Sequence, residues 1–469
     1  MSTLSGRRGS RDLQSIQARV PDYQTFMTVD ELNQSSYDLA AAYPEVVKVE
    51  TAGYSREGRP ILHLTIGRGS KNALMFGCPH PNEPIGAMTL EFLTRLLAED
   101  EALRTELDYT FHVIKCIDPD AITLNQGWFK GPFEVYNYLR HYYRPAFHEQ
   151  VAWTFPVDYE GIHFDKPIPE TQILMKLIDE LHPEFMYSLH NLGFGGAYWY
   201  LSSDVPELYP KFFEVVEKMG IPRKLGEAEV PYATAFAPAV FKMLTVKDEY
   251  DYNSRYISKE YAVAHHAYGT FSGDYANRNG GKTFTFINEL PYFYDARVAD
   301  LSDSDMTRRE AVRQSCDYKV RHYEDVNAQW ERVKALICKP DNHFATALEE
   351  RMSSGVGGIQ AQKRWAEENE DFEKKATGAQ VFDNLYVARF FQATGTTLLL
   401  RACEKEAART ENAADKALLT EVWQWAEDYL RDECGWLEEN MNYHAIPVQK
   451  LVTVQASCGL LTAQYISKT

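Results

Sequence analysis

A small set of residues in this 469-residue chain has the types and spacing to act together chemically. His80 and Glu83 stand three apart in PHPNEPIG, and an imidazole nitrogen with a carboxylate oxygen is a donor pair that zinc accepts. Pro81 and Pro84 stiffen that turn and help hold both side chains in one geometry. With 13 histidines and 67 acidic residues, about two His-x-x-Asp/Glu pairs are expected by chance, so the pair alone also fits a capped turn with a surface ion pair. A catalytic zinc needs a third donor and one position left open for water. His190, at the end of the strand-like run EFMYSLHN, is the candidate, although by itself it reads more readily as a satisfied histidine at a strand terminus. Glu289, in KTFTFINELPYF, has the placement of a general base for metal-activated water, with an exposed edge carboxylate as the plain alternative.

These residues need a scaffold that carries distant segments to one edge. Residues 47–51, 61–66, 73–78 and 109–117 are rich in β-branched and aromatic side chains and are predicted as strands. Residues 85–97 are apolar at helical spacing through Ile85, Met88, Leu93, Leu96 and Leu97. A helix over 169–181, a strand over 184–190, a helix over 208–219 and a strand over 283–290 continue the alternation. The pattern implies an α/β fold with a mixed, mostly parallel sheet flanked by helices. His80 and His190 then each follow the carboxyl end of a strand, the edge where open α/β sheets form ligand crevices. After about Asp300 the text becomes rich in Ala, Glu, Lys, Arg and Leu with helical periodicity, and SSGVGGIQ at 353–360 is its clearest break.

Length gives a prior of two to three domains at about 150 residues each. Expected are a flexible tail over 1–20, an α/β domain over 21–300 and a mainly helical domain over 301–469. Hydrophobic residues at 45% and charged residues at 25% exclude disordered and fibrous classes. A net charge of −18 argues against nucleic acid and anionic membrane surfaces as partners. The seven cysteines are scattered with no C-x-x-C pair, so neither a zinc knuckle nor a disulfide framework is indicated. The first residues have no apolar leader core, and no apolar run approaches about 18 residues, so a cytoplasmic protein is expected.

Six ordered segments carry a family likeness: TAGYSREGRPILHLTIG, GCPHPNEPIG, IDPDA at 117–121, PETQIL at 169–174, SLHN, and SGDYA at 272–276 followed by TFTFINELP. Together, over about residues 35–297, the chain resembles the zinc metallocarboxypeptidases of the carboxypeptidase A type, with a secondary likeness to the succinylglutamate desuccinylase/aspartoacylase branch. The resemblance implies one Zn2+ per chain held by His80, Glu83 and His190, and a general base at Glu289. It implies cleavage of an amide bond, peptide or N-acyl, by metal-activated water.

The chain also departs from that family. The Asn-Arg pair that clamps a terminal carboxylate would stand before Phe155-Pro156, but Ala152, Trp153 and Thr154 are there. The cation that polarises the scissile carbonyl is missing from its usual spacing, leaving Lys130, Arg140 and Arg144, of which Arg144 is chosen for substrate contact. Before SGDYA, the stretch AHHAYGTF offers His265, His266 and Tyr268, and Tyr268 is chosen as a substrate-binding residue. Gly273 gives no charge by which to read side-chain preference. The helical region is expected to cover the cleft, to contact a second copy of the chain, or both. Two rivals keep the fold: a small-molecule amidase or deacylase, and a non-catalytic zinc-containing binding protein.

Overall fold

The computed structural model describes residues 13–264, 266 and 268–469. The main sheet has nine strands among the described residues: Val47–Tyr54 (β1), Pro60–Ile66 (β2), Lys71–Gly77 (β3), Tyr109–Ile114 (β4), Phe185–Leu189 (β5), Tyr198–Leu201 (β6), Ala235–Ala237 (β7), Val240–Lys242 (β8) and Phe284–Glu289 (β9). Their order is β1-β2-β4-β3-β5-β9-β6-β8-β7. The central strands β4, β3, β5 and β9 are parallel, and antiparallel pairs flank them. This is the mixed sheet the sequence implies, with parallel pairing concentrated at its centre. There the strands are covered on both faces and read as continuous apolar runs.

The helices that matter for the site are Ile85–Glu99 (α1), Pro169–Leu181 (α2), Arg308–Ile337 (α3), His343–Ser353 (α4), Ala388–Ala407 (α5), Ala413–Asn440 (α6) and Val448–Ile466 (α7). Strand side chains alternate between two cores. Met75 and Tyr187 share one with Leu93 and Leu97 of α1 and Leu451 of α7. Leu74, Phe76 and Met186 share the other with Leu174 and Ile178 of α2. Three of the ordered sequence segments turn out to hold one another. Arg56 Nε donates to Glu170 Oε1 at 3.2 Å, Arg56 Nη2 reaches Asp118 Oδ2 at 3.4 Å, and the Ser55 hydroxyl donates to Asp120 Oδ1 at 2.7 Å.

The helical region does not stand apart. α5 packs on α3 and α6, whereas α7 returns to the sheet and lies against α1. α7 is buried on every side from Leu451 to Leu460, so that Thr453, Gln455 and Ser457 are enclosed along with its apolar side chains. Residues 13–20, expected within a flexible tail, instead carry the short helix Leu13–Gln17 with Ile16 and Val20 buried, and Gln17 Nε2 donates to Ser457 Oγ at 3.2 Å. Contacts with α7, among them Gln449 Nε2 donating to the Val20 carbonyl at 3.0 Å, hold them there and are invisible to local sequence reading; residues 1–12 lie outside the described residues. No helix among the described residues is long and apolar enough to cross a membrane.

Candidate active site

β3 ends at Gly77, and the turn from Cys78 to Pro84 leads directly into α1. Two glycines allow that turn to sit hard against its neighbours. A Cβ on Gly77 would lie 2.6 Å from the Lys115 carbonyl oxygen, and one on Gly86 would lie 2.8 Å from Leu189 Cβ. The close approach at Gly86 brings the start of α1 against the end of β5, so that His190 reaches the His80–Glu83 turn. Within the turn, the Glu83 amide donates to the His80 carbonyl at 3.1 Å.

His80, Glu83 and His190 are all buried, and their candidate ligand atoms lie within 4.8 Å of one another. His80 Nδ1 is 2.9 Å from Glu83 Oε1, and His190 Nδ1 is 3.1 Å from both Glu83 Oε2 and His80 Nδ1. On its far side, His190 Nε2 is 2.8 Å from Ser188 Oγ, a bond that fixes the ring and leaves Nδ1 turned inward. Burial, reinforced by the charge of Arg144, pulls His80 down to about 3, so its imidazole is neutral, as a metal donor must be. Glu289, at the end of β9, places Oε1 4.0 Å from His190 Nδ1. Its Oε2 is buried without a hydrogen-bond partner among the described residues. Burial, then repulsion from Glu83 and Glu229, pushes its carboxyl well above the usual range, with Arg144 opposing. Two buried carboxyl groups facing two imidazoles form a donor set that a divalent cation satisfies, and zinc fits it.

Of the three cations the sequence offered, one reaches the site. Lys130 is bound to Glu31 at 2.8 Å, and Arg140 to Glu404 at 2.6 Å and Glu427 at 3.2 Å. Arg144 donates to His80 Nε2 at 2.7 Å and to Gln150 Oε1 at 3.1 Å, and lies 3.7 Å from Glu83. Tyr268 lines the same cleft, with its ring stacked on Phe147 at 4.8 Å and its hydroxyl donating to Glu249 at 2.6 Å. His266 is buried beside Tyr268, and His265 lies outside the described residues. Where the carboxylate clamp was expected, Trp153 lines the cavity, and the Thr154 hydroxyl is buried against Thr171 and the Gln150 carbonyl.

A cavity of about 720 Å³ opens from His80, His190 and Glu289 toward the helical region, where Arg351, Gln392 and Thr394 line it. A second space of about 370 Å³ extends from His80, Glu83 and Glu289 past Lys224 and Lys319. The cleft is therefore walled jointly by the α/β part and by α3, α4 and α5. Sequence reading missed two supports. Glu229 accepts from the Tyr198 and Tyr200 hydroxyls at 3.1 and 3.0 Å. Gln455 of α7, fully buried, donates to the carbonyls of His190 at 2.7 Å and Asn288 at 3.1 Å and accepts from Thr89 at 3.0 Å. Neither lies near the site in the chain, so only tertiary packing reveals it.

The zinc carboxypeptidase family model matches residues 32–290, more than half of the chain, and the chain belongs to that family. Carboxypeptidase B of Astacus astacus is 30% identical over 105 residues, a match spanning 21% of this chain and only 35% of that protein. Among solved structures, carboxypeptidase A from Helicoverpa armigera aligns at 13% identity over 60% of this chain and 69% of its own, with a TM-score of 0.36. The murein-tripeptide amidase MpaA from Escherichia coli O157 aligns at 16% identity over 57% and 89%, with a TM-score of 0.27.

Proposed function

We propose that this protein is a zinc-dependent hydrolase that uses water to cleave an amide bond in a peptide or an N-acyl compound. The observation that carries the reading is the convergence of His80, Glu83 and His190 at one sheet edge, with Glu289 within 4.0 Å of His190. One Zn2+ held by those three side chains would supply Lewis acidity toward the scissile carbonyl and acidify a water. Glu289 accepts the proton of the attacking water and returns it to the leaving nitrogen. Arg144 offers N–H donors to the oxygen on which negative charge develops. Trp153 and Tyr268 form an aromatic wall for the substrate. Seven unpaired cysteines, six of them buried, support a reducing, cytoplasmic setting.

A second reading, an amidase for small N-acyl compounds, is favoured by Trp153 and Thr154 standing where a terminal-carboxylate clamp was expected. Mass-spectrometric product analysis tests both. Zinc-loaded protein is incubated with N-acyl peptides bearing free or amidated carboxyl ends and with single N-acyl amino acids. Hydrolysis that falls about a thousandfold in Glu289→Gln, with zinc retained, is expected. Full activity in Glu289→Gln overturns the mechanism. Bound zinc with no turnover of any substrate makes the chain a binding protein.

A further inference from the structure

Arg351, on α4 of the helical region, faces the cavity that holds His80, His190 and Glu289. Its partners are neutral: Nη1 donates to Thr394 Oγ1 at 2.9 Å and Nη2 to Gln392 Oε1 at 3.1 Å. No carboxylate among the described residues lies within 4.0 Å of the guanidinium. The neighbouring acids are occupied elsewhere. Glu350 accepts from the Phe147 amide at 2.6 Å and pairs with His148 at 3.0 Å. Glu433 accepts from Tyr318 at 3.0 Å and Thr396 at 3.1 Å and pairs with His322 at 3.2 Å. Desolvation accordingly pulls Arg351 below its usual pKa. Arg351 is half-buried, and a half-buried cation that faces a cavity without an anion is positioned to receive the missing charge from a ligand.

The facing helix is shaped around it. Gly395 lies mid-way along α5, where glycine costs helix stability, and a Cβ there would come within 3.1 Å of Arg351 Cζ and 3.2 Å of Nε. The missing side chain gives the guanidinium its berth. Arg144, the other arginine lining the cavity, differs in already facing an anion, with Glu83 Oε1 at 3.7 Å.

We propose that Arg351 is the receptor for a substrate carboxylate, a specificity-determining residue contributed by the helical region rather than by the α/β part. This rests on the hydrolase reading for what becomes of the ligand, but not for the binding itself. The substrate class is then an N-acyl amino acid or peptide whose free carboxylate meets Arg351 while its amide lies at Glu289. Trp153, Phe147 and Tyr268, which line the same cavity, suit an apolar side chain.

The test is calorimetric binding of N-acetyl-phenylalanine and its carboxamide to the zinc-loaded full chain. The acid is expected to bind at least tenfold more tightly than the amide. Arg351→Gln should abolish that preference while leaving amide affinity unchanged, and Arg351→Lys should restore part of it. Should Arg351→Gln fail to fold, Gly395→Ala serves instead, crowding the guanidinium and weakening acid binding at least fivefold. Equal affinity for acid and amide in the unaltered protein, or an acid preference that survives these substitutions, overturns the proposal. Acid-selective binding that depends on Arg351, in a protein that hydrolyses nothing, overturns the hydrolase reading alone.

Discussion

Replacing Gln455 by Met tests whether α7 is part of the active-site frame or only a cover for the sheet. The side chain is fully buried, and its amide group makes three hydrogen bonds: to the carbonyls of His190 and Asn288, and from the Thr89 hydroxyl. Methionine nearly preserves volume and keeps the main-chain oxygen that accepts from Tyr187 at 3.0 Å, so packing changes little. The loss is therefore the hydrogen bonding, at about 1 kcal/mol net for each bond, or about 3 kcal/mol in all. Because the two carbonyls belong to His190 itself and to Asn288 beside Glu289, the same substitution should loosen His190 and weaken zinc retention. Urea unfolding followed by tryptophan fluorescence measures the first effect, and zinc loss to a competing chelator measures the second. A stability change below about 1 kcal/mol with unaltered zinc retention would refute the reasoning.

Other predictions follow from single contacts. Gly86→Ala places a Cβ 2.8 Å from Leu189 Cβ, between two backbone-fixed elements, and is expected to cost about 1–3 kcal/mol and to lower zinc affinity; equilibrium dialysis with zinc reads it. Arg144→Gln should lower kcat/KM for a cleaved amide by about 100- to 1,000-fold with zinc retained, whereas Lys130→Gln, whose charge is paired with Glu31, should stay near the unaltered value in steady-state assays. His63 and His112 face each other at 3.1 Å within β2 and β4, and burial pulls both down, His112 to about 4. The unfolded chain then takes up protons below about pH 6.5 that the folded chain refuses, so stability falls as pH drops from about 6.5 toward 4. His112→Gln should remove about 2 kcal/mol of the difference in unfolding free energy between pH 7 and pH 5, measured by urea titration at each pH.

The metal-ligand candidates were legible because each lies at a recognisable local feature. His80 and Glu83 share one turn after a strand, and His190 and Glu289 end apolar runs that read as strands. The central strands were equally clear, since β3, β4, β5 and β9 are long and rich in apolar residues. β6, β7 and β8 have four residues or fewer, too short for an alternating pattern to show. The segments IDPDA and PETQIL were recognised, but nothing local said that Asp118 and Glu170 both hold Arg56. Periodicity marks the region after about residue 300 as helical, yet it does not say what a helix packs against. α7 joins the sheet, α4 and α5 wall the cleft, and Arg351 stands more than 150 residues from any candidate zinc ligand in the sequence. Its neutral partners and the glycine facing it exist only in three dimensions.

The measurement that bears most directly on the central claim is zinc content by plasma mass spectrometry after exhaustive dialysis against limiting zinc. The unaltered protein and Glu289→Gln are expected to retain one zinc per chain, and His80→Ala, Glu83→Ala and His190→Ala to retain almost none. Zinc held equally well without those three side chains would contradict the account.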